Sequence, residues 1–155
     1  MRFVGIRGKT MKYFPVLVGL LLPFSIAHAS KWVVISPRGA PANETSEIVL
    51  QVDATSLRER EGFRQAWVLY SYLTDQKINN SGTNYKSGMF SQIFDCKNAE
   101  YATQVAVYYS ERFSQGKQIS SDTVTRDQVK NAMQPVAPDT YGYLSLDWVC
   151  AQIVK

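Results

Sequence analysis

The stretch "YATQVAVYYSERF", residues 101–113, decides the fold. Read as a strand, it places Tyr101, Val105, Val107, Tyr109 and Phe113 on one face, and Gln104, Ser110 and Arg112 on the other. Such alternation belongs to an antiparallel strand with one face on the core. Toward the N-terminus, "NYKSGMFSQIFDC" (84–96) reads as the preceding strand, with Phe90, Phe94 and Cys96 on one face. "DQKINNSGTN" (75–84), rich in Asn, Ser and Gly, connects it to a long strand in "FRQAWVLYSYL" (63–73), where Phe63, Trp67, Leu69 and Leu73 alternate. In "IVLQVD" (48–53) Ile48, Leu50 and Val52 share a face. Toward the C-terminus, "SQGK" (114–117) lacks the glycine spacing of a phosphate loop and reads as a hairpin turn. After Pro135 and Pro138, Asp139 or Thr140 caps a short helix with the apolar stripe Leu146, Val149, Cys150 and Ile153. The pattern predicts an α+β domain: an antiparallel sheet of five or six strands with a C-terminal helix laid on one face.

The first 29 residues have a different character. Arg2, Arg7, Lys9 and Lys12 precede an apolar run from Phe14 to Phe24, and "AHA" (27–29) supplies small residues before a break. This is the layout of a secretory signal peptide with cleavage between Ala29 and Ser30. The run is shorter than the roughly 20 residues a membrane-spanning helix needs, and no second run follows. Met11 would serve as a start codon as well as Met1. Neither adjacent arginines nor a lipidation cysteine accompanies the run. The expected product is an exported protein with no transmembrane segment or lipid anchor, comprising one domain over residues 30–155, in which "PRGAPANE" (37–44) is a loop.

Cleavage changes the charge. The full chain has 17 Lys+Arg against 13 Asp+Glu, and loss of the four basic residues named above leaves the mature domain neutral. A nucleic-acid partner, which calls for a net basic surface, loses its support. The only histidine, His28, leaves with the signal. Ser-His-Asp and Cys-His nucleophile systems and every histidine metal site go with it. No metal, no cofactor and no enzymatic activity are expected. The carboxylate pairs Glu59/Glu61 and Glu44/Glu47 read as solvated turn residues. Cys96 and Cys150 enter an oxidising compartment, where one intramolecular disulfide is expected, with two free thiols or an intermolecular bridge as alternatives. An intramolecular bridge closing so long a loop contributes about 4 kcal/mol in the chain-entropy account.

One candidate partner-binding set emerges. If "LREREGFR" (57–64) is extended, Arg58, Arg60 and Arg64 point to one face with Tyr70 and Tyr72 further along, while Glu59 and Glu61 point to the other. Arginine and tyrosine enrich protein contact surfaces. The competing reading is a solvated turn of alternating charges. Tyr85, Tyr101, Tyr108 and Tyr109 extend the aromatic content, which strand packing alone would favour.

The order of these features, a Trp soon after the signal, "VDATSLR", "AWVL", "NYKSGMFSQIFDC", an alternating strand and a terminal "VC", resembles the bacterial surface-adhesin protein E family over about residues 31–151. The resemblance implies an antiparallel sheet with its C-terminal helix tethered by Cys96 and Cys150. It also implies adhesion to host matrix and serum proteins, with dimerisation and haem binding associated with the family. Without histidine, tyrosine would be the iron ligand. The expectation is an exported, non-enzymatic binding protein with a protein partner, at the cell surface, in the periplasm or outside the cell. A periplasmic envelope accessory or structural protein is the alternative. Exposed strand edges add homodimerisation as a further expectation.

Overall fold

The computed structural model describes residues 29–35, 43, 45–78 and 81–154. The apolar signal segment and nearly all of the 37–44 loop lie outside them. Eight strands form one antiparallel sheet: β1 (Trp32–Ile35), β2 (Ile48–Asp53), β3 (Arg58–Arg60), β4 (Phe63–Lys77), β5 (Asn84–Asp95), β6 (Glu100–Tyr109), β7 (Gln118–Thr123) and β8 (Gln134–Pro135). Six of them run side by side in the order β1-β2-β4-β5-β6-β7. The short β3 shares an edge of β4 with β2, and β8 shares an edge of β6 with β7. Helices α1 (Arg126–Asn131) and α2 (Tyr141–Ala151) complete the domain, in agreement with the expected α+β class.

The predicted faces of β2 and β5 hold, whereas that of β4 is reversed: Ala66 and Val68 turn toward α2, and Phe63, Trp67 and Leu69 of the expected face lie on the other side of the sheet, because β4 is buried on both faces. Leu50 and Val52 of β2, Ala66 and Val68 of β4 and Phe94 of β5 are buried together beneath Leu146 and Val149 of α2. Thr140 caps α2, its side chain accepting from the Tyr143 amide. The expected stripe is one residue too long: the helix ends at Ala151, and Ile153 is 90% exposed. Cys150, in the last turn, is bonded to Cys96 just past the end of β5, with the Cα atoms 5.6 Å apart and 54 residues of sequence between them.

Two further expectations need correction. The alternation in 101–113 breaks at Gln104. Thr103 pairs with Gln92 and Val105 with Ser91, so Gln104 is the extra residue of a β-bulge. Because an inserted residue reverses parity, Tyr101 lies on the α2 face with Phe94, while Val105, Val107 and Tyr109 lie on the opposite face. Nor is only one face buried. On the far side of the sheet Ile93 and Ala102 pack against Val129 of α1, with Phe63 and Met133 at the margin. The β6–β7 connection folds back over the same side. The Phe113 amide donates to Ser71 Oγ at 3.0 Å, and the Ser114 amide donates to Ser87 Oγ at 3.0 Å. These bonds satisfy two serines that face each other across β4 and β5 with no exposed surface.

Candidate functional site

The five predicted contact residues do not share a face. Glu61 and Gly62, with φ of 56° and 79°, turn the chain back on itself, so that Arg58 pairs with Gln65, Glu59 with Arg64 and Arg60 with Phe63. Two positive-φ residues make the tight primed turn that suits a hairpin. The reversal puts Arg58 and Arg60 on the α1 side and Arg64 on the α2 side. There a single guanidinium nitrogen of Arg64, Nη1, donates to the carbonyls of Val149 (2.7 Å), Cys150 (2.8 Å) and Gln152 (2.8 Å). These acceptors are at the C-terminus of α2, where the last carbonyls of a helix lack partners. Arg64 therefore acts as the helix's C-terminal clamp.

Arg58 and Arg60 remain exposed. Arg60 joins a cluster about Glu61, which lies 3.5 Å from Arg60 Nε, 3.6 Å from Arg126 Nη2 and 3.2 Å from Lys130 Nζ. The Lys130 hydrogen bond, followed by the charges of Arg126 and Lys130, lowers the Glu61 carboxyl below its ordinary range. Sequence reading missed Arg126 and Lys130 because it missed α1. The signal was present: Thr125 and Gln128 form a reciprocal capping box.

Tyr70 and Tyr72 open onto a row of rings on the α2 face. Tyr70 meets Phe90 edge-on at 5.6 Å, Phe90 meets Tyr108 at 5.8 Å, Tyr108 meets Tyr85 at 4.9 Å, and Tyr85 meets Tyr72 at 5.8 Å. Each edge-to-face pair contributes about 0.5–1.5 kcal/mol beyond its buried area. Gly88 makes the row geometrically feasible. It sits between Tyr70 and Tyr108 in the sheet register, and a Cβ there would come within 2.5 Å of Phe90 Cζ. The phenylalanine ring lies over the glycine and joins the two tyrosines.

Helix α2 covers one end of this row. Burial raises the Tyr70 phenol to about 12, partly offset by its hydrogen bond with Ser145. Burial also raises Tyr72, with the neighbouring Tyr85 and Tyr70 adding to it. It likewise raises Tyr85 and Tyr108. All four phenols stay neutral near pH 7 and can donate as well as accept a hydrogen bond. Tyr72, Tyr85 and Tyr108 are half-buried, so part of each side chain reaches the surface. The row offers a rigid, neutral, aromatic contact surface. Among the described residues no group of three or more metal-ligating side chains occurs.

No curated protein matches the chain. Among solved structures, Haemophilus influenzae protein E matches at 14% identity, covering 77% of this chain and 93% of that one, with a TM-score of 0.47. A second crystal form of it matches at 15% identity over 77% and 96%, with a TM-score of 0.49. Protein E from non-typeable Haemophilus influenzae matches at 13% identity over 79% and 86%, with a TM-score of 0.44. Residues 32–151, from the first strand to the last residue of the disulfide-tethered helix, match the family described as surface-adhesin protein E, and the chain belongs to that family.

Proposed function

We propose that this exported surface adhesin contacts host matrix or serum proteins through its tyrosine row, without performing a chemical reaction. Family membership supplies the adhesin role and the surface location. No helix among the described residues is long and apolar enough to cross a membrane. The observation that carries the choice of surface is the row itself. Tyr72, Tyr85 and Tyr108 hold one another edge to face yet remain half-exposed beyond the cover of α2. Rigid tyrosines lose little conformational entropy on contact and dominate protein interfaces.

Of the sequence candidates, Tyr72 belongs to this surface, and Arg58 and Arg60 flank the domain on the other side. Arg64 and Tyr70 support the helix beside it. The mature chain begins at Ser30 in this proposal; Ala29 and Ser30 are both exposed, as a cleavage site requires.

The test is binding of the purified oxidised domain to matrix and serum proteins coated on a surface, comparing the parent with Tyr72→Ser/Tyr108→Ser and with Arg58→Ser/Arg60→Ser. The tyrosine pair should weaken binding by about tenfold or more, with the far-ultraviolet spectrum unchanged. Equal binding by the tyrosine variant, or loss confined to the arginine variant, sinks the assignment.

A further inference from the structure

A groove of about 800 Å³ runs along the outer side of α2, from Asp139 before its cap to Gln152 beyond its end, and is closed at one side by Ile35 of β1. Its wall is aromatic: Tyr141, Tyr143 and Trp148 all line it, and Tyr143 is 37% exposed. Two carboxylates stand in it. Tyr143 and Asp147, four residues apart, share one stripe of the helix, and Asp139 lines the same groove from before the cap. Among the described residues, neither Asp139 nor Asp147 has a salt-bridge partner. Glu61, by contrast, gathers three cations. Both unpaired carboxylates beside aromatic faces attract a cation, the rings through their quadrupoles and the carboxylates through charge-assisted hydrogen bonds.

We propose that this groove is a second binding site, for an extended segment of a partner protein that carries lysine or arginine. The groove's course along α2 suits such an occupant: Asp139 stands before the cap and Asp147 about two turns into the helix. In an extended peptide, side chains two or four residues apart lie on the same face. Cations spaced in this way meet both carboxylates, and the stem of each chain packs on Tyr143 or Trp148. Charge complementarity thus names the partner's chemistry. The site uses no residue of the tyrosine row, so it stands or falls independently of that surface.

The experiment titrates the purified, disulfide-bonded domain with oligolysine and with oligoglutamate of equal length, following tryptophan emission and the backbone amide shifts of residues 139–152. Oligolysine should bind saturably with its shifts centred on α2, and oligoglutamate should not bind. Asp139→Asn/Asp147→Asn keeps both side-chain shapes at exposed positions. It should weaken oligolysine binding about tenfold or more, as should raising the salt concentration. Trp148→Phe is the second variant, expected to remove the emission change while leaving the shifts in place. The proposal is overturned if oligolysine fails to saturate, if the asparagine variant binds equally well, if the shifts centre elsewhere, or if the amides of α2 respond instead to rising protein concentration, which would make a second copy the occupant.

Discussion

Replacing Arg64 with alanine removes the guanidinium that donates to three carbonyls at the end of α2. A hydrogen bond to a charged group contributes about 1.5–3 kcal/mol, and a cation at a helix C-terminus adds about 0.3–1 kcal/mol. The three bonds share one nitrogen and do not count separately, so the expected loss is about 2–4 kcal/mol. Against a total of roughly 5–15 kcal/mol this is a large fraction. For a domain of this size it lowers Tm by roughly 10 °C. The assay is thermal melting followed by circular dichroism, run with the disulfide intact and again after reduction. Arg64→Lys keeps the charge but lacks the planar fork, so it should recover only part of the loss. The deficit should grow on reduction, because the covalent tie otherwise keeps the helix end near its strand. A shift below about 2 °C for Arg64→Ala in both redox states refutes the clamp.

Three other outcomes follow from the geometry. Gly88→Ala forces Phe90 off its glycine and should cost about 1–3 kcal/mol, read as a lower melting temperature together with altered near-ultraviolet tyrosine dichroism; an unchanged spectrum would show that the ring does not lie there. Val129 has no exposed surface and is the residue by which α1 enters the core, so Val129→Ala should lower stability by about 2 kcal/mol, with the urea midpoint moving and the slope constant. Burial works to raise the Asp53 carboxyl, but hydrogen bonds from Thr55, Lys31 and Ser30 outweigh it and hold its pKa below the ordinary 3.8. A depressed folded pKa adds stability that is present above 3.8 and lost as pH falls through the folded value. Acid unfolding below about pH 4 should therefore be shallower in Asp53→Asn, and an identical acid limb would remove Asp53 from the account.

Much of the sheet was legible because burial repeats at period two. Leu50, Val52, Phe90 and Phe94 sit on the predicted face, and Thr140 caps the helix it was expected to cap; in β4, with apolar residues on both faces, period two alone does not say which face meets α2. What failed depended on parity changes that composition does not mark. Gln104 looks like any outward polar residue, yet as a bulge it reverses every assignment beyond it. Glu61-Gly62 carries neither Asn nor Asp, the usual markers of a primed turn, so Arg64 was counted with Arg58 and Arg60 when it points the other way. The tyrosine row needs the pairing register. Tyr72 and Tyr85 meet only because the β4–β5 ladder shifts between Ser71 and Gln76, and a single sequence does not encode that shift in any local signal. Val129 was legible in principle, through the Thr125/Gln128 capping box.

The bridge from the end of β5 to the last turn of α2 also determines how the molecule would carry tension. An adhesin that holds a surface against flow is pulled through its chain. A pull arriving from the N-terminal strands and leaving at the C-terminus passes from Cys96 to Cys150 through sulfur. The 54 residues of separation between them, including β6, β7, α1 and most of α2, are bypassed by the load. Stretched between its termini, the oxidised domain should yield roughly 180 Å less contour length than the reduced one, at about 3.4 Å per residue. Even when β1 to β5 have been drawn out, that half of the fold keeps a fixed length.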